Sequence, residues 1–322
     1  MTEKKEGHGE DAQPLLVIKD EFVAVGVFDG MGGAGAATCM SEYGENYTKA
    51  YVASRIVRNE VETLLKDFLG KEDISSELLK VRISQRLKQE QEAYPLKTKS
   101  MLRSKLVRDY PTTMAVVILC QTETKFQIDS FWAGDSHCYL WTNKGFFQIS
   151  KDDLEEDNDP MDNLRNDAAI SNCICADRDF HINHKHIVLS KEPVVILSAS
   201  DGCFGYFPTP MHFEDMLKRC LRQAKDEEDW KKRVIKHIQE VTGDDTSLSL
   251  IGVEFSSFDK FKKIMSSSLV PIVEKLKNME KSIDVKKQKL TEIQNKYEQT
   301  IKSGWKDYKQ KYMKYINEDS DA

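Results

Sequence analysis

Two apolar runs in this chain end on an aspartate followed by glycine. Phe22-Val23-Ala24-Val25-Gly26-Val27-Phe28 leads into Asp29-Gly30-Met31-Gly32-Gly33, and Val194-Val195-Ile196-Leu197-Ser198-Ala199-Ser200 leads into Asp201-Gly202. A carboxylate at the mouth of a hydrophobic strand is costly to desolvate unless a positive group meets it there. Acidic residues recur beside glycines or strand ends at Glu10-Asp11, Gly134-Asp135 and Gly243-Asp244-Asp245. One Asp-Gly pair is ordinary turn chemistry. Five such positions make a set of oxygen donors, and oxygen ligands without His or Cys partners favour Mg²⁺ or Mn²⁺ over zinc. Two such ions sharing a carboxylate can activate a bridging water and clamp the oxygens of a phosphoryl group.

The elements that must position these groups follow from hydropathy. Runs rich in Val, Ile and Phe predict strands near 14–18, 22–28, 113–120, 125–133, 137–142, 145–149, 187–189, 193–199 and 247–255. Short turns such as Thr142-Asn143-Lys144-Gly145 join several of them, which favours antiparallel hairpins. Helical spacing predicts helices near 34–54, 58–69, 73–92, 98–107, 211–224 and 227–241. Hairpins with helices clustered between them indicate an α+β fold. The run Lys151-Asp152-Asp153-Leu154-Glu155-Glu156-Asp157-Asn158-Asp159-Pro160 opens a stretch, 151–179, expected to be a solvated flap. Residues 1–255 are expected to form one domain and 256–322 a helical extension. Within that extension Leu276, Met279, Ile283, Leu290, Ile293 and Tyr297 keep coiled-coil-like spacing, and Ile301, Trp305, Tyr308 and Tyr312 continue after a shift. Such a stripe covers its own domain, a second copy or a protein partner.

Composition narrows the class. The 322 residues carry a net charge of −6 and are 40% hydrophobic, as in a mildly acidic globular protein. No apolar run approaches the roughly 20 residues that span a bilayer, and the first residues lack the apolar core of a secretory signal, so no membrane association and a cytoplasmic location are expected. Seven cysteines, an odd number lying mostly in apolar stretches, suit reduced thiols better than a disulfide framework. Residues 256–322 hold 15 Lys against 10 Asp and Glu, leaving that segment at +5 and the remainder at −11. This is too weak and too interleaved with acids for a nucleic-acid surface.

Six motifs in order make a more specific likeness: Glu10-Asp11-Ala12, Val27-Phe28-Asp29-Gly30-Met31-Gly32-Gly33, Pro111-Thr112-Thr113-Met114-Ala115, Ala133-Gly134-Asp135-Ser136-His137, Ser200-Asp201-Gly202 and Asp244-Asp245-Thr246-Ser247. Over residues 8–255 the chain resembles the PPM (type 2C) metal-dependent protein Ser/Thr phosphatases, its bacterial members most. The resemblance implies a four-layer αββα sandwich with two antiparallel sheets and a cleft holding two Mg²⁺ or Mn²⁺ ions. Asp29 would bridge the ions and Gly30 would offer its carbonyl. Asp201 and Asp244 would hold the first ion, Glu10 would act through bound waters with Asp11 behind it, and Asp135 with Asp201 would contribute to a third, weaker site. Water activated by the two metals would then attack phosphoserine or phosphothreonine in a phosphoprotein substrate, with no phosphoenzyme.

The chain also departs from that pattern. Gly205 stands where relatives carry an acid after the Ser-Asp-Gly motif, which weakens the third ion site. The arginine that grips substrate phosphate would fall near Glu6, leaving Lys4 or Lys5 as substitutes. Met31 replaces a His common in eukaryotic members, so a leaving group must take its proton from water, His137 or His8. These departures keep open an alternative, a pseudophosphatase scaffold or phosphopeptide-binding module with a C-terminal interaction helix. Cys173, Cys175, His181, His184 and His186 match no familiar zinc spacing and are expected to serve packing.

Overall fold

Leu15 and Val17 are buried while Leu16 and Ile18 stand exposed, the period-two pattern of a strand with one covered face. This strand, β1 (Leu15–Lys19), turns at Asp20 into β2 (Phe22–Val27), and Asp20 takes the positive φ of 49° that the tight turn requires. The computed structural model describes residues 1–4, 7–40, 46–68, 74–94, 107–155, 159–164, 169–267 and 270–314. The chain continues through β3 (Thr38–Met40), β4 (Asn46–Thr48), α1 (Lys49–Phe68), α2 (Ser76–Ala93), β5 (Met114–Gln121), β6 (Lys125–Ala133), β7 (His137–Thr142), β8 (Gly145–Gln148) and α3 (Pro160–Asn163). It then forms β9 (Asn183–Ser190), β10 (Val194–Ala199), α4 (Asp201–Phe204), α5 (Pro210–Gln223), α6 (Glu227–Val241), β11 (Leu248–Val253), α7 (Phe258–Met265) and α8 (Pro271–Tyr312).

The strands form two main antiparallel sheets, ordered β1-β2-β5-β6-β9 and β11-β10-β7-β8, plus the β3-β4 pair. Val25, Val27, Val117, Ile128, Leu140 and Ile196 fill the space between the sheets. On the outer face of the first sheet lie α1 and α2, with Val57, Val61 and Leu64 of α1 repeating at helical spacing. Against the second lie α5, α6 and α7, through Phe213, Leu217, Trp230 and Phe261. These are the four layers of an αββα sandwich.

Register decides where the acids go. Leu15 pairs with Gly26, Val27 with Ala115, and Met114 with Ala133, so β1 and β5 begin where β2 and β6 end. In the other sheet Ala199 pairs with both His137 and Leu248, so β10 ends where β7 and β11 begin. The β6–β7 turn at Gly134-Asp135 crosses from one sheet to the other.

Three expectations change. Residues 34–54 do not form one helix: 38–40 and 46–48 pair as β3 and β4, and α1 runs unbroken from Lys49 to Phe68. Gly35 is pressed against its neighbours, an added Cβ lying 2.6 Å from the Pro111 ring, so contact with that wall overrides helical spacing here. The chain divides into two units at Leu269/Val270, and residues 256–267 belong with the first because Phe261 of α7 packs against Trp230 and Trp141. The charged run at 151–155 is anchored: Asp152 meets His137 at 2.6 Å, and Asp153 accepts from Gly134 N, Asn172 and Asn183 at 2.6–3.0 Å. Most of the helix expected at 98–107 lies outside the described residues. In the second unit, α8 is a 42-residue helix on which Met279, Ile283, Leu290, Ile293, Tyr297, Ile301, Trp305, Tyr308 and Tyr312 are exposed.

At the start of α1, Lys49 is buried and paired with Asp109 at 2.7 Å, with its ammonium 4.4 Å above the Tyr110 ring. Removing one member of such a pair strands a buried charge and costs about 3–5 kcal/mol, whereas replacing both with apolar groups is often neutral. Asp109→Ala should therefore lower urea stability by that amount, and Lys49→Met with Asp109→Leu should recover most of it. Equal losses in the single and double variants would show that the stranded charge is not the cause.

Candidate active site

A cavity of about 640 Å³ opens in the first unit, lined by Glu10, Asp29, Asp135, Asp201, Asp244 and Asp245 together with the backbone of Gly30, Gly32 and Gly33. Asp29 leaves the end of β2 and Asp201 the end of β10, while Asp135 sits in the β6–β7 turn and Asp244 just ahead of β11. The glycines are required by close approach. A Cβ on Gly32 would lie 1.6 Å from Glu10 Oε2, and one on Gly202 would lie 2.0 Å from the Asp245 carbonyl oxygen. Gly134 adopts φ 98°, where a side chain would be strained and would strike Thr113.

Hydrogen bonds fix the acidic groups from behind. Thr112 Oγ1 and the Thr113 amide both donate to the Asp29 carbonyl oxygen, at 2.6 and 2.8 Å. Thr48 Oγ1 donates to Glu10 Oε1 at 2.6 Å. Asp245 accepts from the amides of Lys4 and Glu10, each at 2.7 Å, tying the first segment to the strand before which it lies. Arg55 donates to the carbonyls of Gly9 and Glu10 and stacks on Tyr51, which uses its charge to hold that segment. Asp11 does not line the cavity: it is fully buried, Ser200 Oγ donates to its Oδ2 at 3.0 Å, and its Oδ1 has no hydrogen-bond partner among the described residues.

The electrostatics are those of crowded like charges. Burial, reinforced by the neighbouring Asp11, Asp201 and Asp135, holds the Asp29 carboxyl well above the ordinary range. Burial and Asp201 do the same to Asp135, and burial pushes Asp11 up to about 7. Glu10 and Asp244 are raised as well, chiefly by burial and then by neighbouring acids. Among the described residues no three His, Cys, Asp or Glu side chains form a ready-made metal-binding group. The carboxylates instead stand around the wall of a roomy cavity, an arrangement suited to an ion that keeps part of its water shell, as Mg²⁺ does. An all-oxygen donor set, mutually raised proton affinities and the orphaned Asp11 oxygen fit a divalent cation of this hard type.

The structure thus brings Glu10, Asp29, Gly30, Asp135, Asp201 and Asp244 to one cavity, with Asp11 behind it. The Lys4 charge lies near Asp244, but Lys4 does not line the cavity, and Lys5 is outside the described residues. His137 is buried, bonded to Tyr139 and Asp152 at 2.6 Å each and stacked on Phe204, which is a structural engagement. Cys173 lines the cavity, whereas His184 and His186 both turn to Asp129 on the first sheet. Sequence reasoning missed Arg108 and Cys173 as cavity residues, along with the roles of Thr48 and Asp245. For Arg108 the signal was its place three residues ahead of Pro111-Thr112-Thr113; for Thr48 there was none.

Solved structures with this architecture are serine/threonine phosphatases among others. The chain is similar to the serine/threonine phosphatase Stp1 of Staphylococcus aureus, at TM-score 0.52 and 17% identity over 77% of this chain and 92% of that one. It is likewise similar to PstP/Ppp of Mycobacterium tuberculosis, at 0.50 and 14% over 77% and 92%. A C. elegans sex determining protein aligns at 0.56 and 13%, over 82% of this chain and 65% of that one. At these identities the likeness is one of fold, and the class it defines is the αββα sandwich. The sequence further matches the model of the family Protein phosphatase 2C over residues 4–239, and the chain belongs to that family. The match ends ahead of Asp244 and Asp245. No curated protein sequence matches the chain.

The raised carboxyls make a prediction about the ion-free protein. Asp11 ordinarily titrates near 3.8 and here near 7, so between those values the folded protein keeps a proton that the unfolded chain has lost. Its contribution to stability is full below the lower value and disappears as pH rises through the upper one, and Asp29 and Asp135 act in the same direction. Chelator-treated protein should melt at progressively lower temperature between about pH 5 and about pH 8, and added Mg²⁺ or Mn²⁺ should flatten that decline. A melting temperature that rises over this interval without metal would contradict the assignment.

Proposed function

We propose that this protein is an active phosphatase that hydrolyses phosphoserine and phosphothreonine in phosphoproteins with the help of Mg²⁺ or Mn²⁺. The observation that carries this reading is the gathering of carboxylates from separate segments of the chain around one cavity, with raised proton affinities that call for a cation. Asp29, Asp201 and Asp244, with the Gly30 carbonyl, would hold two ions, Glu10 would reach them through water, and Asp135 would serve a weaker third. Bound there, the ions would neutralise the phosphoryl oxygens and make water nucleophilic at neutral pH. The chain's own part is to hold these groups still. Thr112 and Thr113 pin the Asp29 backbone, Thr48 orients Glu10, and Asp11 is held behind the cavity by the Ser200 hydroxyl. Met31 lines the cavity and carries no proton to give, His137 is committed to Tyr139 and Asp152, and His8 lies beside Tyr47 and does not line the cavity, so the leaving alkoxide takes its proton from solvent.

The natural setting we assign is the cytoplasm, where seven unpaired cysteines stay reduced. Among the described residues no helix is long and apolar enough to cross a membrane. For α8 we propose a second copy of the chain as partner, since its exposed residues at 283, 290 and 297 keep whole-heptad spacing, with Met279 and Ile293 each four residues ahead of one of them.

Purified protein with Mn²⁺ should release phosphate from a phosphothreonine peptide, and Asp29→Asn or Asp201→Asn should reduce the rate on the order of 100-fold or more. Metal and phosphopeptide binding without any turnover would select the scaffold alternative instead. The α8 assignment is checked by light scattering: the full chain should run as a dimer and a chain ending at residue 269 as a monomer. Equal masses for both would refute it.

A further inference from the structure

A cavity walled by acids repels the dianionic phosphate that a phosphatase must admit, so the wall needs a fixed cation aimed at the ligand. Among the described residues lining the cavity, Arg108 is the one cationic side chain. We propose that Arg108 is the phosphate-gripping residue of this site, its guanidinium receiving two oxygens of the substrate's phosphate. The inference rests on the phosphatase reading for its substrate class.

Three observations support it. The first is position: Arg108 lines the same cavity as Glu10, Asp29, Asp135, Asp201 and Asp244. The second is rigidity. The Arg108 amide donates to the Ala34 carbonyl at 3.1 Å, fastening the residue to the Gly32-Gly33 turn. Its neighbour Asp109 is locked by Lys49 at 2.7 Å and Gln91 at 2.7 Å, while the Asp109 amide donates to Asp177 at 2.9 Å. Tyr110 is fully buried at φ 54°, a left-handed conformation that persists only when its surroundings hold it. So fixed a backbone sets where the side chain leaves the wall, its Nη1 lies 3.5 Å from the Val107 carbonyl, and the planar fork at its end suits bidentate contact with phosphate oxygens. The third is the local field. Cys173, also on the wall, has its thiol drawn down first by its hydrogen bond with Cys175 and then by the Arg108 charge, so the guanidinium favours negative charge at the cavity surface. Two other cations lie close by: Arg55 is engaged with backbone carbonyls and the Tyr51 ring, and Lys4, near Asp244, does not line the cavity.

The test uses the full chain loaded with Mn²⁺ and compares wild type with Arg108→Ala and Arg108→Lys. Affinity for inorganic phosphate is read by calorimetry, and KM and kcat are read on a phosphothreonine peptide. Loss of a charge-assisted contact should weaken phosphate binding and raise KM by about 10- to 100-fold in Arg108→Ala, with Mn²⁺ affinity unchanged. Arg108→Lys, which keeps the charge and the fold but loses the fork, should fall between the two. Unchanged phosphate affinity in the variants would overturn the proposal, as would a parallel loss of Mn²⁺ affinity, which would mark Arg108 as a support of the metal cavity. If wild type shows no turnover, the phosphatase reading fails on its own. The calorimetric arm still decides: phosphate binding that depends on Arg108 sustains the site, and no phosphate binding by wild type removes it.

Discussion

Mutual repulsion among carboxylates at one edge of the sandwich is the condition to which the rest of this structure answers. Asp11, Asp29 and Asp135 each have their proton affinity raised by burial and by acidic neighbours. Such a cluster separates unless the backbone around it is over-determined. The chain supplies that determination locally. Thr112 and Thr113 take hold of the Asp29 carbonyl, Thr48 takes one oxygen of Glu10, and the Asp245 carboxylate spans two amides of the first segment. Glycine appears at 32 and 202 because the groups brought together leave no room for a Cβ. Stability is given up at this edge and recovered in the layers behind it, where three apolar clusters fill the spaces between helices and sheets.

Much of this was readable beforehand, for a physical reason. An apolar strand that stops on Asp-Gly states both its end and its oddity, and repeated instances define a set without any knowledge of contacts. Alternation marked the strands, and short turns marked their antiparallel pairing, so the sandwich and its helices could be expected. What a linear reading does not contain is register. That β2 and β6 end together follows from pairings such as Val27 with Ala115 and Met114 with Ala133, and that β10 brings Asp201 to the same cavity follows from how the two sheets pack, which only the folded chain supplies. Arg108 went unnoticed because nothing repeats around it: it reaches the cavity through backbone contacts with Ala34 and through the Lys49–Asp109 pair nearby.

The misplaced elements share a cause. Helical spacing over 34–54 reflected small apolar residues that instead pass close to Pro111 and Ala50, and tertiary contact set their conformation. The acidic run at 151–155 read as solvated because charge usually is. Two of its members, Asp152 and Asp153, are instead acceptors for His137, Asn172, Asn183 and the Gly134 amide, and they brace the turn that carries Asp135. Phe261 looked like part of the trailing helix, yet it completes an aromatic cluster with Trp141 and Trp230.

The pairing of the first residues with the last strand entry has a consequence for order in time. Thr2 and Thr246 exchange two backbone hydrogen bonds of 2.9 Å, and their hydroxyls meet at 2.6 Å across 244 positions of sequence. Contacts of such separation form late, since the loop they close must be ordered first. During synthesis the first segment therefore waits, its acids in water, until nearly the whole sandwich has emerged. A chain halted before residue 246 lacks the partner that fastens its first residues, and Glu10 is left without the Asp245 carboxylate that holds its amide.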